Sequence, residues 1–150
     1  MGSTIGAITA YSWIETIRIE VTRLKLGLGL KLAFLVDTHT HFFGPVEEEV
    51  LKILSREDPD IILHGGDIID EYTGDLDPVR KYFSTLDARK KYAVLGNHDH
   101  WSNRVSELGA LLRRECGFHL LIDEAVEFSG WRLFGVDWRD AVSYTHLRAH

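Results

Sequence analysis

Three times before residue 100 a short apolar run stops abruptly and is followed by a cluster of polar groups. Leu32-Ala33-Phe34-Leu35-Val36 runs into Asp37-Thr38-His39-Thr40-His41, Ile61-Ile62-Leu63 into His64-Gly65-Gly66-Asp67-Ile68-Ile69-Asp70, and Lys91-Tyr92-Ala93-Val94-Leu95 into Gly96-Asn97-His98-Asp99. Short apolar runs bounded by glycine and turn formers read as buried strands. Stretches of helical spacing lie between them, so strand and helix alternate, which implies βαβ units around a largely parallel sheet. The polar endings of such strands gather at one sheet edge, where α/β folds carry their chemistry. Asp, His and Asn are oxygen and nitrogen ligands for metals, and their recurrence at three endings points to a site.

The intervening segments support this reading. Gly44-Pro45 opens a helix in which Glu47, Glu48 and Glu49 complement the positive end, Val46, Val50, Leu51, Ile53 and Leu54 share a face, and Asp58-Pro59 closes the run. A second helix is predicted from Asp77 to Leu86, with Pro78 near its start, and a third along Val105, Leu108, Leu111, Leu112 and Cys116 as far as a cap at Gly117. Cys116 falls on the apolar side of that helix and reads as a buried thiol. Short strands come next at His119–Ile122, Ala125–Phe128 and Trp131–Val136. Upstream, Ile17 to Leu26 alternates apolar and polar residues, the period of a half-buried strand, and Gly27-Leu28-Gly29 turns it toward Leu32.

Composition narrows the function classes. A chain of 150 residues that is 45% hydrophobic and 27% charged can bury one ordinary core. A net charge of -6 argues against a nucleic-acid footprint, which needs clustered Lys and Arg, but leaves room for a small anionic substrate if metal ions supply positive charge. Cys116 is the only cysteine, so no internal disulfide forms, and a cytoplasmic, reducing setting is expected. Met1 to Trp13 lacks both a basic start and a long uncharged run; as the remnant of a leader it would allow peripheral association with a membrane. Ser143 to His150 shows no periodicity, so the expected organisation is residues 1–142 as the amino-terminal portion of one domain and 143–150 as a non-native or disordered tail.

Asp37-x-His39, Gly66-Asp67-x-x-Asp70 and Gly96-Asn97-His98-Asp99 resemble, in this order, the D-x-H, G-D-x-x-D and G-N-H-D/E blocks of the calcineurin-like metallophosphoesterases. The resemblance covers most of residues 11–138, and the Tyr11–Leu26 segment looks like the lead-in strand of the family's bacterial and archaeal branch. It implies an α/β fold, a two-layer sheet core flanked by helices, with the carboxyl-terminal part missing. It also implies hydrolysis of a small phosphodiester or phosphomonoester at a dinuclear centre of Mn, Fe, Zn or Mg ions, through a metal-bridging hydroxide. Such ions make a nucleophile from water and neutralise phosphoryl charge. By match to the motifs, Asp67 would bridge the ions, Asp37 and His39 would hold the first and Asn97 the second. His98 would stabilise or protonate the leaving oxygen, Asp70 would orient its imidazole, and Asp99 would cap or brace the loop.

Two departures stand out. The family's later G-H and G-H-x-H blocks are absent: His119 and His146 lack a preceding glycine, and His150 ends the sequence. The first ion would keep Asp37, His39 and Asp67 and the second only Asp67 and Asn97, so weak hydrolysis is expected. Glu71 stands where the protein serine/threonine phosphatase branch carries an arginine, which disfavours a phosphoprotein substrate. His41, His64 and His100 read as loop polarity, and Trp101, Trp131 and Trp138 as core or rim aromatics. Two other readings compete. Asp37-Thr38-His39-Thr40-His41 also looks like the H-x-H opening of TIM-barrel amidohydrolases and TatD-like nucleases, with His39 and His41 as ligands, and a third reading is a non-catalytic binding module on the phosphoesterase fold.

Overall fold

In the computed structural model, which describes residues 19–27, 29–128 and 130–138, the three apolar runs are neighbouring strands. β1 (Leu32–Leu35), β2 (Ile61–His64), β3 (Lys90–Ala93) and β4 (His119–Leu120) form a sheet in chain order, every pair parallel. Register places the site: Leu35 pairs with His64 and His64 with Ala93, so the first three strands end level and release their polar loops at one edge.

The crossovers are helical, as the spacing predicts. α1 (Pro45–Glu57) begins with proline, its Glu47 accepts the Gly44 N–H at 2.8 Å, and Asp58 ends it in the left-handed region at φ +49°. α2 (Asp77–Thr85) and α4 (Val105–Arg114) match the predicted spans closely, and Gly117 at φ +69° turns the chain from α4 into β4. A helical turn not expected from the sequence, α3 (Asn97–Trp101), starts directly at the third polar ending.

Period-2 alternation sends Ile62, Ala93 and Leu120 toward the helices, where they pack with Leu54, Val79, Phe83, Leu108 and Leu112. Phe83 is fully buried at the centre, with ring contacts to Tyr82, Phe118 and His64. Cys116 joins this cluster, and burial raises its thiol pKa to about 11.

The opposite face carries Ile61, Leu63, Tyr92 and Val94, and is covered by a hairpin, β5 (Glu124–Phe128) and β6 (Trp131–Gly135), through Val126, Phe128 and Leu133. Tyr92 and Phe128 stack at 6.3 Å. Gly135 permits the closest approach, since a Cβ there would lie 2.2 Å from that of Leu121. Two sheet layers with helices outside one of them are the expected architecture. A closed barrel is not: β1 and β4 are both edges of the described sheet.

One predicted strand does not form among the described residues. Residues 19–26 pair with no strand of the described residues, and Leu24 and Leu26 are 77% and 69% exposed. Alternation stabilises a strand only when a ladder partner and a buried face exist, and this segment, tied to α1 through Arg23 and Glu57, has neither among the described residues. Residues 17 and 18 of that prediction, the Tyr11 start of the lead-in strand and the 143–150 tail lie outside the described residues.

Candidate metal centre

The site is built where β1, β2 and β3 end. Beyond the strands, the Asp37, His39 and Thr40 amides donate to the carbonyls of Gly66, Asp67 and Ile68 at 3.2, 3.1 and 2.8 Å, so the first two loops stay zipped together. Asp37, His39 and Asp67 all adopt positive φ, at +53°, +38° and +55°. Left-handed backbone at residues with a Cβ costs about 1–2 kcal/mol each and persists only when neighbours impose it. Gly66 and Gly96 make the third loop's approach possible: a Cβ on Gly66 would meet Gly96 N at 2.5 Å, and one on Gly96 would meet Asp67 Oδ1 at 2.1 Å.

Asp99 imposes that shape from below. Its carboxylate, fully buried, accepts the amide N–H groups of Asp67, Ile68, Ile69 and Gly96, each at 2.9 Å. Burial pushes its pKa up, against the pull of those donors, and the Asp67 charge adds to the rise. Asp99 therefore braces the β2 loop against the start of α3, the role its motif position implied. Asp67 in turn accepts the His98 N–H on Oδ1 at 2.9 Å.

Above this floor, His39, Asp67 and His98 each bring one donor atom within 4.8 Å of the other two, all half-buried. The two imidazoles meet edge to face at 4.9 Å. Both are held through Nδ1, His39 by Asp70 Oδ2 at 3.3 Å and His98 by Glu71 Oε2 at 3.2 Å, which leaves Nε2 as the free nitrogen of each ring. Mixed imidazole and carboxylate donors, with imidazoles oriented by carboxylates, suit a first-row divalent ion, so the residues present fit the metal that the motifs imply.

The placement differs from expectation in three respects. Asp70 does not meet His98; its Oδ1 is fixed by the Tyr72 amide and Thr73 hydroxyl, which leaves Oδ2 to His39 and, at 2.9 Å, to His41. Partial burial opposes its ionisation, but the Tyr72 N–H, His41 and Thr73 outweigh it, and the carboxyl sits below its usual range. The longer Glu71 reaches His98 instead. Asp37 is exposed and lies outside the group of three, in which His98 takes its place, while Asn97 opens α3 beside it.

Two histidines expected as loop polarity are interior. His64 is 2% exposed, and His100 binds Asp137 at 2.7 Å through Nε2, tying α3 to the end of β6. The signal for His64 was available, because period 2 puts positions 62 and 64 on one face. Nothing in the sequence signalled the Asp137 partnership.

Comparison with known proteins points the same way. The family model for calcineurin-like phosphoesterases matches residues 30–147. An uncharacterized metallophosphoesterase of Aquifex aeolicus (strain VF5) is 33% identical over 139 residues, which cover 88% of this chain and 51% of that protein. The chain thus spans about half the length of the curated relative it matches.

Proposed function

The chain belongs to the calcineurin-like phosphoesterase family, and from that premise we propose that it acts as a metal-dependent hydrolase of small phosphoesters at the β1–β3 loop edge. The observation that carries the reading is the convergence of His39, Asp67 and His98 on one point, from three separate strand endings. Divalent ions bound there would polarise a phosphoryl oxygen and supply a water-derived nucleophile.

The chain's own residues have distinct tasks in this reading. Asp67, which accepts the His98 amide on Oδ1, is the carboxylate that would bridge the ions in this reading. His39 and Asp37 would add ligands from the β1 ending and Asn97 from the start of α3. His98, its Nδ1 on Glu71, presents Nε2 either as a ligand or as the donor to the leaving oxygen. The finer assignments, a dinuclear centre among Mn, Fe, Zn or Mg and a phosphodiester in preference to a monoester, belong to the same proposal. The H-x-H amidohydrolase reading loses support because His41 rests on Asp70 outside the group of three and the described strands form a sheet with two edges.

The test is hydrolysis of bis(p-nitrophenyl) phosphate and p-nitrophenyl phosphate by the chelator-stripped chain, with and without added Mn²⁺. Turnover should require the ion, and Asp67→Asn should lower it by about 100-fold or more. Turnover that survives chelation, or a near-normal rate in Asp67→Asn, overturns the reading.

A further inference from the structure

His64 is the last residue of β2, and its imidazole lies inside the helix-side core, 2% exposed and 5.2 Å from the Phe83 ring. Two hydrogen bonds leave that ring. The Gly66 amide lies 3.2 Å from Nδ1, and a backbone N–H can only donate, so Nδ1 accepts and the ring proton sits on Nε2. That proton points to Thr38 Oγ1, also at 3.2 Å. A single tautomer satisfies both.

The partners are informative by position. Thr38 lies between Asp37 and His39, and Gly66 immediately precedes Asp67. One neutral ring is thus wedged between the chain leaving β1 and the chain leaving β2, one residue from three of the motif groups. Packing alone does not call for an imidazole here, because an apolar side chain beside Phe83 would bring no polar atoms to bury. What the imidazole adds is a rigid two-ended connector between loops held in left-handed backbone.

We propose that His64 is a positioning residue: through Thr38 and Gly66 it sets the spacing of the two loops and thereby the preorganisation of His39 and Asp67 for a metal ion. The inference rests on the metal-site reading, and its test separates the two. Thr38→Val removes the hydroxyl while leaving His64 in the core, and His64→Phe removes both bonds. Without metal, Thr38→Val should accelerate amide hydrogen exchange by about 10-fold at His39 and Thr40 in one loop and at Gly66 in the other, with β3 amides unchanged. In calorimetric titration with Mn²⁺, each variant should bind about 10-fold more weakly, and the double variant no more weakly than His64→Phe alone, because both changes break one connector.

Exchange that changes only in the β1 loop, or Mn²⁺ affinity that is retained while thermal stability alone falls, overturns the proposal and leaves His64 as core packing. If His64→Phe does not fold, Thr38→Val decides by the same two measurements. Failure of the unaltered chain to bind Mn²⁺ would instead remove the hydrolase reading, while the exchange data would still decide whether His64 couples the loops.

Discussion

The polar groups beneath the candidate metal centre and those above it are built on opposite terms. Beneath, Asp99 and His64 are buried at 0% and 2% exposure and bond only to backbone amides and one hydroxyl. Above, the side chains of Glu71, His98 and His41 are 34–40% exposed, and carboxylate meets imidazole in reach of water. A buried group with several short, directed bonds has one arrangement, because each lost bond leaves an orphaned polar atom. An exposed carboxylate changes partners at little cost, since water replaces what it leaves. The floor of the site is therefore a fixed shape and the rim an adjustable one. Asp99 is accordingly found as the brace that its motif position implied, while Asp70, whose side chain is 13% exposed, lies against His39 and His41 and not against the expected His98.

The sharpest break in that comparison is Asp99→Ala. It deprives four amides of their acceptor at once, two of them buried and two half-buried, and should cost about 3–5 kcal/mol in denaturant unfolding. Asp99→Asn, which retains one acceptor oxygen and needs no buried charge, should lose clearly less; equal losses would show that the floor is not held by these bonds.

The next effect is a pH dependence. Burial lowers the His64 pKa from the ordinary 6.5 to about 3. Between those values the unfolded chain binds a proton that the native chain refuses. The contribution is fully present above pH 6.5 and is lost at up to about 1.4 kcal/mol per pH unit as pH falls toward 3. The stability difference between the native protein and His64→Phe should track that limb; a flat difference from pH 7 to 4 would contradict the buried neutral ring.

A smaller loss is expected where the hairpin meets the site. The His100 side chain is 6% exposed, and its Nδ1 has no hydrogen-bond partner among the described residues. Asp137→Ala would deprive Nε2 as well, at about 1–3 kcal/mol. Asp137→Asn keeps an acceptor and should restore most of that.

The smallest expected effect on stability is at the rim. Glu71→Ala should leave the denaturation midpoint unmoved yet slow turnover by up to about 10-fold through a freed His98 ring, with Glu71→Gln, which still offers an oxygen, in between. A change in stability without a change in rate would reverse the comparison, placing Glu71 with the structural layer.

Much of this was legible in the chain. The parallel strands, the helices at Pro45, Asp77 and Val105 and the short strands after His119 arise from apolar period, proline and glycine placement, which act within a few residues. His39 and Asp67 were placed at the site by motif, and structure brings them together. The failures have a common cause. Residues 19–26 carry strand alternation but find no ladder partner among the described residues, Asp70 has two imidazoles within reach, and His100 finds its acceptor at Asp137, beyond three intervening strands.

The residues alone were enough to mark β1 to β3 as strands, to show that all three end in metal-competent groups, and to place glycines where the apolar runs break. Those properties depend on local backbone preference and on the period of burial, both written into neighbouring residues. Folding in three dimensions settled which carboxylate faces which imidazole, that His64 turns inward to Thr38 and Gly66, that glycines 66 and 96 let the loops close, and that His98 stands with His39 and Asp67. Side-chain pairing at a sheet edge is set by distances of a few ångströms between loops remote in the chain. Spacing along one strand carries no information about that separation.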